Sequence, residues 1–228
     1  MTPIPREEGV VLLIAMMALL LMTALGAALI LTSSSETMIA AHFRDSLEAR
    51  YAAGVTIERG MDEIGGAADW TLLSGGVRQS SWVDGAPSGP RTLADGSAID
   101  LAQVVNMANC GKTTACSAAD LRAVTAERPW GPNNPQWTPY AYGFLSDLLP
   151  GASAIDSPYY VLLLVGAGIP VPGWDVLSWR SEAFGPRGSH AVIEAAAGRV
   201  VYVAGDETGY NQPVGQASVR VLSWREVR

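Results

Sequence analysis

The chain has 228 residues, which is enough for a membrane-anchoring helix and a globular domain of about 150 residues. Acidic residues outnumber basic residues by 22 to 15, giving a formal net charge of −7 at pH 7. Because nucleic-acid phosphates require a cationic surface, this composition excludes nucleic acid as the expected partner.

The first notable feature is the apolar stretch of residues 10–31. It carries no charge, and Thr23 is its only polar side chain. A helix of this length spans roughly 30 Å, the thickness of the hydrocarbon core of a bilayer. The apolar runs of buried core helices and of signal peptides are shorter, about 10 to 14 residues. The stretch therefore predicts a single transmembrane segment.

The helical pattern continues beyond the apolar stretch, because no Pro interrupts the chain before Gly65 and Gly66, which are typical of a helix end. At about 100° per residue, residues 32–64 separate into an apolar face and a charged face. The predicted apolar face consists of Ile39, Phe43, Leu47, Tyr51, Gly54, Ile57, Met61 and Ile64. The predicted polar face consists of Arg44, Asp45, Glu48, Arg59, Asp62 and Glu63, and Arg50 and Glu58 are exceptions to the pattern. We expect this amphipathic half to pack on a globular domain formed by residues 65–228.

These features resemble the type IV pilin superfamily. The resemblance rests on a short leader, residues 1–9, that ends in Gly9, on the apolar run from Val10, and on one unbroken helix to about Ile64. Residues 49–59 also look like the helix of PilX-like minor pilins. The resemblance implies that prepilin peptidase cleaves after Gly9 and that Val10 becomes an N-methylated amino terminus. It also implies that other pilins pack against the N-terminal helix.

The chain departs from the usual pilin pattern at three places. Val10 stands where Phe is normal, Glu7 and Glu8 make the leader less basic, and Ile14 replaces the Glu expected five residues after the Gly. The missing Glu is shared with PilX-like minor pilins and with the large tip pseudopilin of type II secretion. Ile14 therefore argues against a major repeating subunit, and we interpret it as the position that favours the filament tip.

Residues 65–127 predict short elements. Short strands are expected at 71–73 and near 77–83, a turn at 85–90, and a helix at 99–108. Ser117 and Asp120 form a capping-box pattern, so a second helix is expected from there to about Glu127.

The only cysteines, Cys110 and Cys116, lie between these two helices. Their spacing fits neither a zinc site nor a C-x-x-C redox motif. In an oxidising compartment we expect a disulfide between them, and the alternative is two reduced thiols.

Residues 128–143 contain Trp130, Trp137, Tyr140 and Tyr142 among several Pro and Gly residues, which argue against regular structure. The favoured interpretation is a long loop held over the core by its aromatic side chains. An adhesive or sugar-binding loop is the alternative.

The last third of the chain predicts an antiparallel sheet. Strands are expected at 158–165, 176–184 and 190–197, with a hairpin turn at 185–188 and a further short strand at 200–203. After a polar loop at 205–215, a last strand is expected at 218–227, in which Val219, Val221 and Ser223 alternate with Arg220, Leu222 and Trp224. The fold prediction is therefore α+β, with the long helix packed on the sheet as in pilins.

No catalytic or cofactor-binding pattern stands out, so we expect neither enzymatic activity nor a cofactor. Pro170 and Pro172 prevent the helix that a phosphate-binding loop after Gly166 would need. His42 is interpreted as a solvated or subunit-contact residue. Asp206, Glu207 and Asn211 fit no known calcium-loop spacing.

The resulting hypothesis is a PilX-like minor pilin for assembly or initiation of a type IV pilus. It would be stored in the inner membrane as a single-pass protein with a periplasmic domain, and later reside in the pilus or at the cell surface. One alternative is a tip pseudopilin of type II secretion. The other is an uncleaved single-pass membrane protein with a periplasmic binding domain.

Overall fold

The structure, a computed structural model, describes residues 8–67, 69–126, 128–148, 157–200 and 219–227. It divides into two compact units, Met1–Arg44 and Asp45–Arg228. Helix α1, Glu8–Gly65, runs through the first unit and into the second. It ends at the predicted Gly pair, where the backbone amide of Ala67 donates a hydrogen bond to the carbonyl of Ile64.

The second unit is built around a five-stranded antiparallel sheet with the strand order β3-β4-β5-β6-β7. Its strands are β3 (Thr138–Phe144), β4 (Tyr160–Ala167), β5 (Trp174–Phe184), β6 (His190–Val200) and β7 (Arg220–Val227). The smaller elements are α2 (Thr71–Ser74), β1 (Pro90–Thr92), β2 (Ala98–Asp100), α3 (Leu101–Cys110), α4 (Ala118–Arg122) and α5 (Leu145–Leu148). The long N-terminal helix packs against this sheet, which confirms the predicted α+β, pilin-like fold.

Strand β4 explains how the sheet supports a layer on each face. Successive side chains of a strand point to opposite faces. Val161, Leu163 and Val165 belong to the core beneath helix α1, whereas Leu162 and Leu164 belong to a second core with Leu101 of α3. A strand covered on both faces is apolar at every position, which is why this one reads as an unbroken apolar run.

Helix α1 meets the sheet through small side chains and through only part of the predicted apolar face. Ala49, Ala53 and Gly60 are buried, whereas Leu47 and Tyr51 are 38% and 67% exposed. In the first unit, the predicted face residues Ile39 and Phe43 are likewise exposed. Of the predicted face, Ile57 and Ile64 are buried. The prediction was wrong for Leu47 and Tyr51, because it considered hydrophobicity alone, whereas the close approach of helix and sheet requires small side chains on the docked face.

Gly60 is the closest point of that approach. A Cβ atom added there would lie 2.5 Å from Leu163 Cδ2 and 3.3 Å from the indole ring of Trp179. Trp179 is fully buried, and its ring meets that of Tyr140 edge-on at a centroid distance of 5.5 Å. Because Gly60 has no side chain, the large indole ring of Trp179 can fill the space next to the helix.

Several short elements differ from the prediction. Residues 71–74 form helix α2 rather than a strand, because the Asp69 carboxylate accepts hydrogen bonds from the backbone and hydroxyl of Thr71. Residues 77–83 form no regular strand, and only Val83 makes an isolated bridge, to Tyr142. The backbone of Ser80 donates to the carbonyl of Tyr140 at 2.9 Å, so this segment covers the outer edge of β3.

The two predicted helices are present with changed bounds. The side chain of Asp100 accepts hydrogen bonds from the amides of Ala102 and Gln103, which starts α3 at Leu101 rather than at Ile99. The predicted capping box of Ser117 and Asp120 is confirmed. Helix α4 nevertheless ends at Arg122, because reciprocal backbone hydrogen bonds between Thr125 and Arg128 turn the chain.

The structure also contradicts the predicted irregular segment at 138–143 and the predicted alternation in the last strand. In both places a strand contains an irregularity in its pairing. Residues 138–143 lie in β3 despite their Pro content, since Pro139 coincides with a break in the pairing register to β4. In β7 the register breaks opposite Ala196 and Ala197, so the predicted alternation fails. Trp224 lies over Gly54 of helix α1, and Leu222 lies against Gly198.

The predicted hairpin between β5 and β6 is present, with Phe184 opposite His190. Val200 belongs to β6 rather than to a separate strand. Residues 201–203 and the polar loop at 205–215 lie outside the described residues.

A pair of glycine substitutions tests the close approach. Gly60→Ala should lower the free energy of unfolding by about 1–3 kcal/mol, because the added methyl group overpacks against Leu163 and Trp179. Gly54→Ala on the same helix meets its nearest atom at 3.7 Å and should raise stability by about 0.5–1 kcal/mol. Urea unfolding of the full chain in detergent, followed by tryptophan fluorescence, measures both changes. Equal effects of the two substitutions would contradict this packing.

Candidate functional site

The N-terminal half of helix α1 contains the residues that the sequence singles out for processing and assembly. Gly9 and Val10 lie in the first turn of the helix, and Ile14 lies one turn further on. Val10 and Ile14 are each 60% exposed, and none of the described residues has an atom within 4 Å of a Cβ added at Gly9. All three positions are accessible on the helix. Among the described residues, none of the three contacts another candidate site.

This half of the helix is long and apolar enough to cross a membrane. Its most apolar window has a mean hydropathy of 2.6, and none of that window is buried inside the protein. Such a surface is stable in lipid rather than in water. Its length and composition are consistent with a single-pass membrane protein.

The two threonine hydroxyl groups in and next to the apolar stretch are satisfied within the helix. Thr23 Oγ1 donates to the carbonyl of Leu20 at 2.9 Å, and Thr32 Oγ1 donates to that of Ala28 at 3.0 Å. Such bonds to the preceding turn remove the cost of placing a free hydroxyl in hydrocarbon. Thr23 is therefore compatible with a membrane environment.

The aromatic segment of residues 128–143 is mostly part of the core. Trp137, Tyr140 and Tyr142 are at most 5% exposed, and the Tyr142 hydroxyl donates to the carbonyl of Gly85 at 2.8 Å. Trp130 is the exception, with 52% of its surface exposed. The burial of three of the four aromatic residues agrees with a segment held by its side chains.

Cys110 and Cys116 lie with their sulfur atoms at disulfide distance and their Cα atoms 6.0 Å apart, which fits the predicted disulfide. The pair connects the end of α3 to the start of α4. Next to it, the side-chain amide of Asn109 exchanges two hydrogen bonds with the backbone of Trp137, at 2.9 and 2.8 Å. These contacts fix the C-terminal end of α3 to the beginning of β3.

Sequence reasoning missed a ladder of charged side chains on the face of the sheet opposite helix α1. Arg180 lies at its centre and donates to the carboxylates of Glu182 and Glu194, each at 2.7 Å. His190 lies 3.0 Å from Glu182, and Arg225 donates to Glu194 at 2.9 Å. The period-2 spacing of Arg180 and Glu182 was the only signal in the sequence, because their other partners come from β6 and β7.

The central members of this ladder are buried. The side chains of Arg180, Glu182 and Glu194 are 15%, 6% and 15% exposed. Burial alone would raise the pKa of Glu182, but the hydrogen bond from His190 and the charge of Arg180 hold that pKa below its usual value. A depressed carboxyl pKa contributes stability that is present above the pKa of the unfolded chain and is lost as the pH falls through the folded-state pKa.

Strand β7 is the open edge of the sheet. Its pairing with β6 is the only one it makes among the residues that the structure describes. Val221, Leu222 and Trp224 are 50%, 47% and 44% exposed. The opposite edge, β3, is covered by residues 80–84.

Among the described residues, no group of three or more His, Cys, Asp or Glu side chains is arranged to hold a metal ion. The ring of His190 is stacked on Phe184 at a centroid distance of 4.6 Å, which explains its place in the ladder. Asp206, Glu207 and Asn211 lie outside the described residues, and His42 lies on the exposed part of α1.

The charge ladder generates a stability prediction. Arg180→Met leaves two buried carboxylates without their central cation, so it should lower the free energy of unfolding by about 3–5 kcal/mol. The matched control is Arg59→Met, whose ion pair with Asp62 is exposed and should be worth less than about 1 kcal/mol. Urea unfolding of the full chain in detergent compares the two variants. A loss for Arg180→Met no greater than that of the control would contradict the importance of the buried ladder.

No family model matches this chain, and neither a curated protein nor a solved structure matches it. Its function must therefore be inferred from the exposed apolar helix, the residues around Gly9 and the α+β domain.

Proposed function

We propose that this chain is a PilX-like minor pilin, a structural subunit for assembly or initiation of a type IV pilus. In this proposal it acts without enzymatic activity or a cofactor. Prepilin peptidase removes the leader after Gly9, and the mature chain is held in the inner membrane with its domain on the periplasmic side. During assembly, the apolar half of α1 moves from lipid into contact with the helices of other pilins.

The observation that carries the proposal is that one helix has an exposed apolar half and a half docked on the sheet. Residues 10–31 are apolar on every side and exposed, whereas the later part of the same helix is seated on the sheet. A helix in a soluble domain buries its apolar face. An apolar helix that remains exposed needs lipid or other helices around it. In a pilin subunit the helix is surrounded first by lipid and, after assembly, by the helices of other pilins.

The segment between α1 and the large sheet favours a minor pilin over the tip pseudopilin of type II secretion. That pseudopilin usually carries a larger, all-helical insertion here. In this chain the segment combines the β1–β2 hairpin with the short helices α3 and α4. An uncleaved single-pass protein with a binding domain differs from both pilin proposals, because it would keep its leader.

Ile14 supports a position at the tip. In a pilin bundle, the membrane-depth Glu pairs with the terminal amine of a neighbouring subunit. An unpaired carboxylate at that depth costs about 2.5–3.5 kcal/mol on insertion scales, so a subunit that carries it depends on the neighbour. Ile14 has no such requirement, and a subunit with Ile14 is suited to the tip or to an initiating complex.

Immunogold labelling of sheared filaments tests this position. We expect gold at filament ends, and we expect deletion of the gene to reduce the number of filaments. Ile14→Glu should increase labelling along the shaft, because the new carboxylate can pair with the amine of a neighbour. Ile14→Leu is the matched control and should keep the label at the ends. Gold spaced along the shaft of wild-type filaments, or unchanged filament numbers after deletion, would contradict the tip assignment.

A further inference from the structure

Three segments of the second unit meet at the beginning of the docked helix. The guanidinium of Arg187, in the turn between β5 and β6, forms an ion pair with the Asp45 carboxylate. The Tyr159 hydroxyl donates to the carbonyl of Asp45 at 3.0 Å, and the backbone amide of Arg187 donates to Asp95 Oδ2 at 3.1 Å. We call these four residues the Asp45 junction.

The turn that carries Arg187 has an unusual backbone. Arg187 has a φ of 57°, and it is the only residue other than glycine with a positive φ among those that the structure describes. The left-handed region is unfavourable for a residue with a Cβ. The contacts of Arg187 with Asp45 and Asp95 therefore hold the turn in a conformation that it would not favour alone.

The docked helix is held differently at its two ends. Near its C-terminal end, Ile57 and Ile64 are buried and Gly60 allows close contact with Trp179. Near its N-terminal end, the buried apolar residues are Ala49, Ala52 and Ala53. Since apolar stabilisation scales with buried area, these alanines contribute less than the isoleucines do.

Polar contacts compensate at the N-terminal end. Asp45 is only 5% exposed, so its ion pair with Arg187 is partly shielded from water. Arg50 adds an exposed ion pair with Glu226 at 3.1 Å. Polar contacts therefore make a larger share of the attachment over residues 45–53, where the buried apolar residues are alanines, than over residues 57–64, where apolar packing dominates.

We propose that the Asp45 junction is a release point for the helix. When its ion pair breaks, residues 45–53 separate from the sheet as a local unit while residues 57–64 stay docked. Separation exposes the part of the sheet core that Ala49, Ala52 and Ala53 now cover. If the chain acts as a pilin, as proposed above, the released segment offers a second helix surface to neighbouring subunits during assembly.

Hydrogen–deuterium exchange of the full chain in detergent micelles tests this inference. Arg187→Gln and Asp45→Asn should each speed amide exchange in residues 45–53 by roughly tenfold or more, without a comparable change in residues 57–64. The double variant should exchange no faster than either single variant, because both remove the same contact. Arg59→Gln, which breaks an exposed ion pair on the same helix, is the control and should change neither segment.

Salt provides a second test that needs no substitution. Raising the NaCl concentration of the wild-type protein should speed exchange in residues 45–53, and the response should be reduced in Arg187→Gln. Faster exchange in both segments would indicate global destabilisation and overturn the proposal, as would unchanged exchange in residues 45–53. These measurements need no filaments, so a failure of the pilin assignment would be seen separately, in leader processing and filament labelling.

Discussion

The close approach between helix α1 and the sheet at Gly60 is the contact on which the second unit depends. The helix presents alanine and glycine to the sheet, and the sheet fills the space with Trp179 and Leu163. Because small residues take the docking face, larger apolar side chains such as Leu47 and Tyr51 remain on the exposed surface. The way the helix docks thus leaves apolar surface exposed on it.

The sheet itself is stabilised on both faces by different means. One face carries the core with α1, and the other carries a second apolar core under α3 next to a ladder of buried charges. Strand β4 joins the two cores through its alternating side chains. The hydrogen bonds of Asn109 with Trp137 hold α3 to the sheet and connect the outer layer to β3. The outer layer is therefore integral to the domain.

Features that depend on local sequence were predictable. The apolar helix, its glycine end, the capping box at Ser117 and the β5–β6 hairpin follow from periodicity, from the backbone freedom of Gly and from the hydrogen bonds of the Ser hydroxyl. Features set by distant partners were not predictable. The docking face of α1 depends on the shape of the sheet, and Arg180 meets Glu194 only because β5 pairs with β6. The strand through Pro139 and the irregularity at Leu222 depend on register breaks that no local pattern reveals.

The candidate site is of a different kind, because its residues are proposed to act in processing and assembly. Gly9, Val10 and Ile14 were identified through the resemblance to pilins and their position relative to the apolar run, and the structure shows them accessible on one helix. One continuous helix is exposed and apolar in its first half and docked on the sheet in its second half. This division supports the proposed pilin function.

The most direct test of this account is the intact mass of the protein isolated from its native host with prepilin peptidase present. We predict a mature chain that begins at Val10 and is methylated there. Gly9→Val should keep the leader attached, whereas Gly26→Val, the same change deeper in the apolar helix, should still be processed. A mature wild-type protein that begins at Met1 or Thr2 would contradict the pilin assignment.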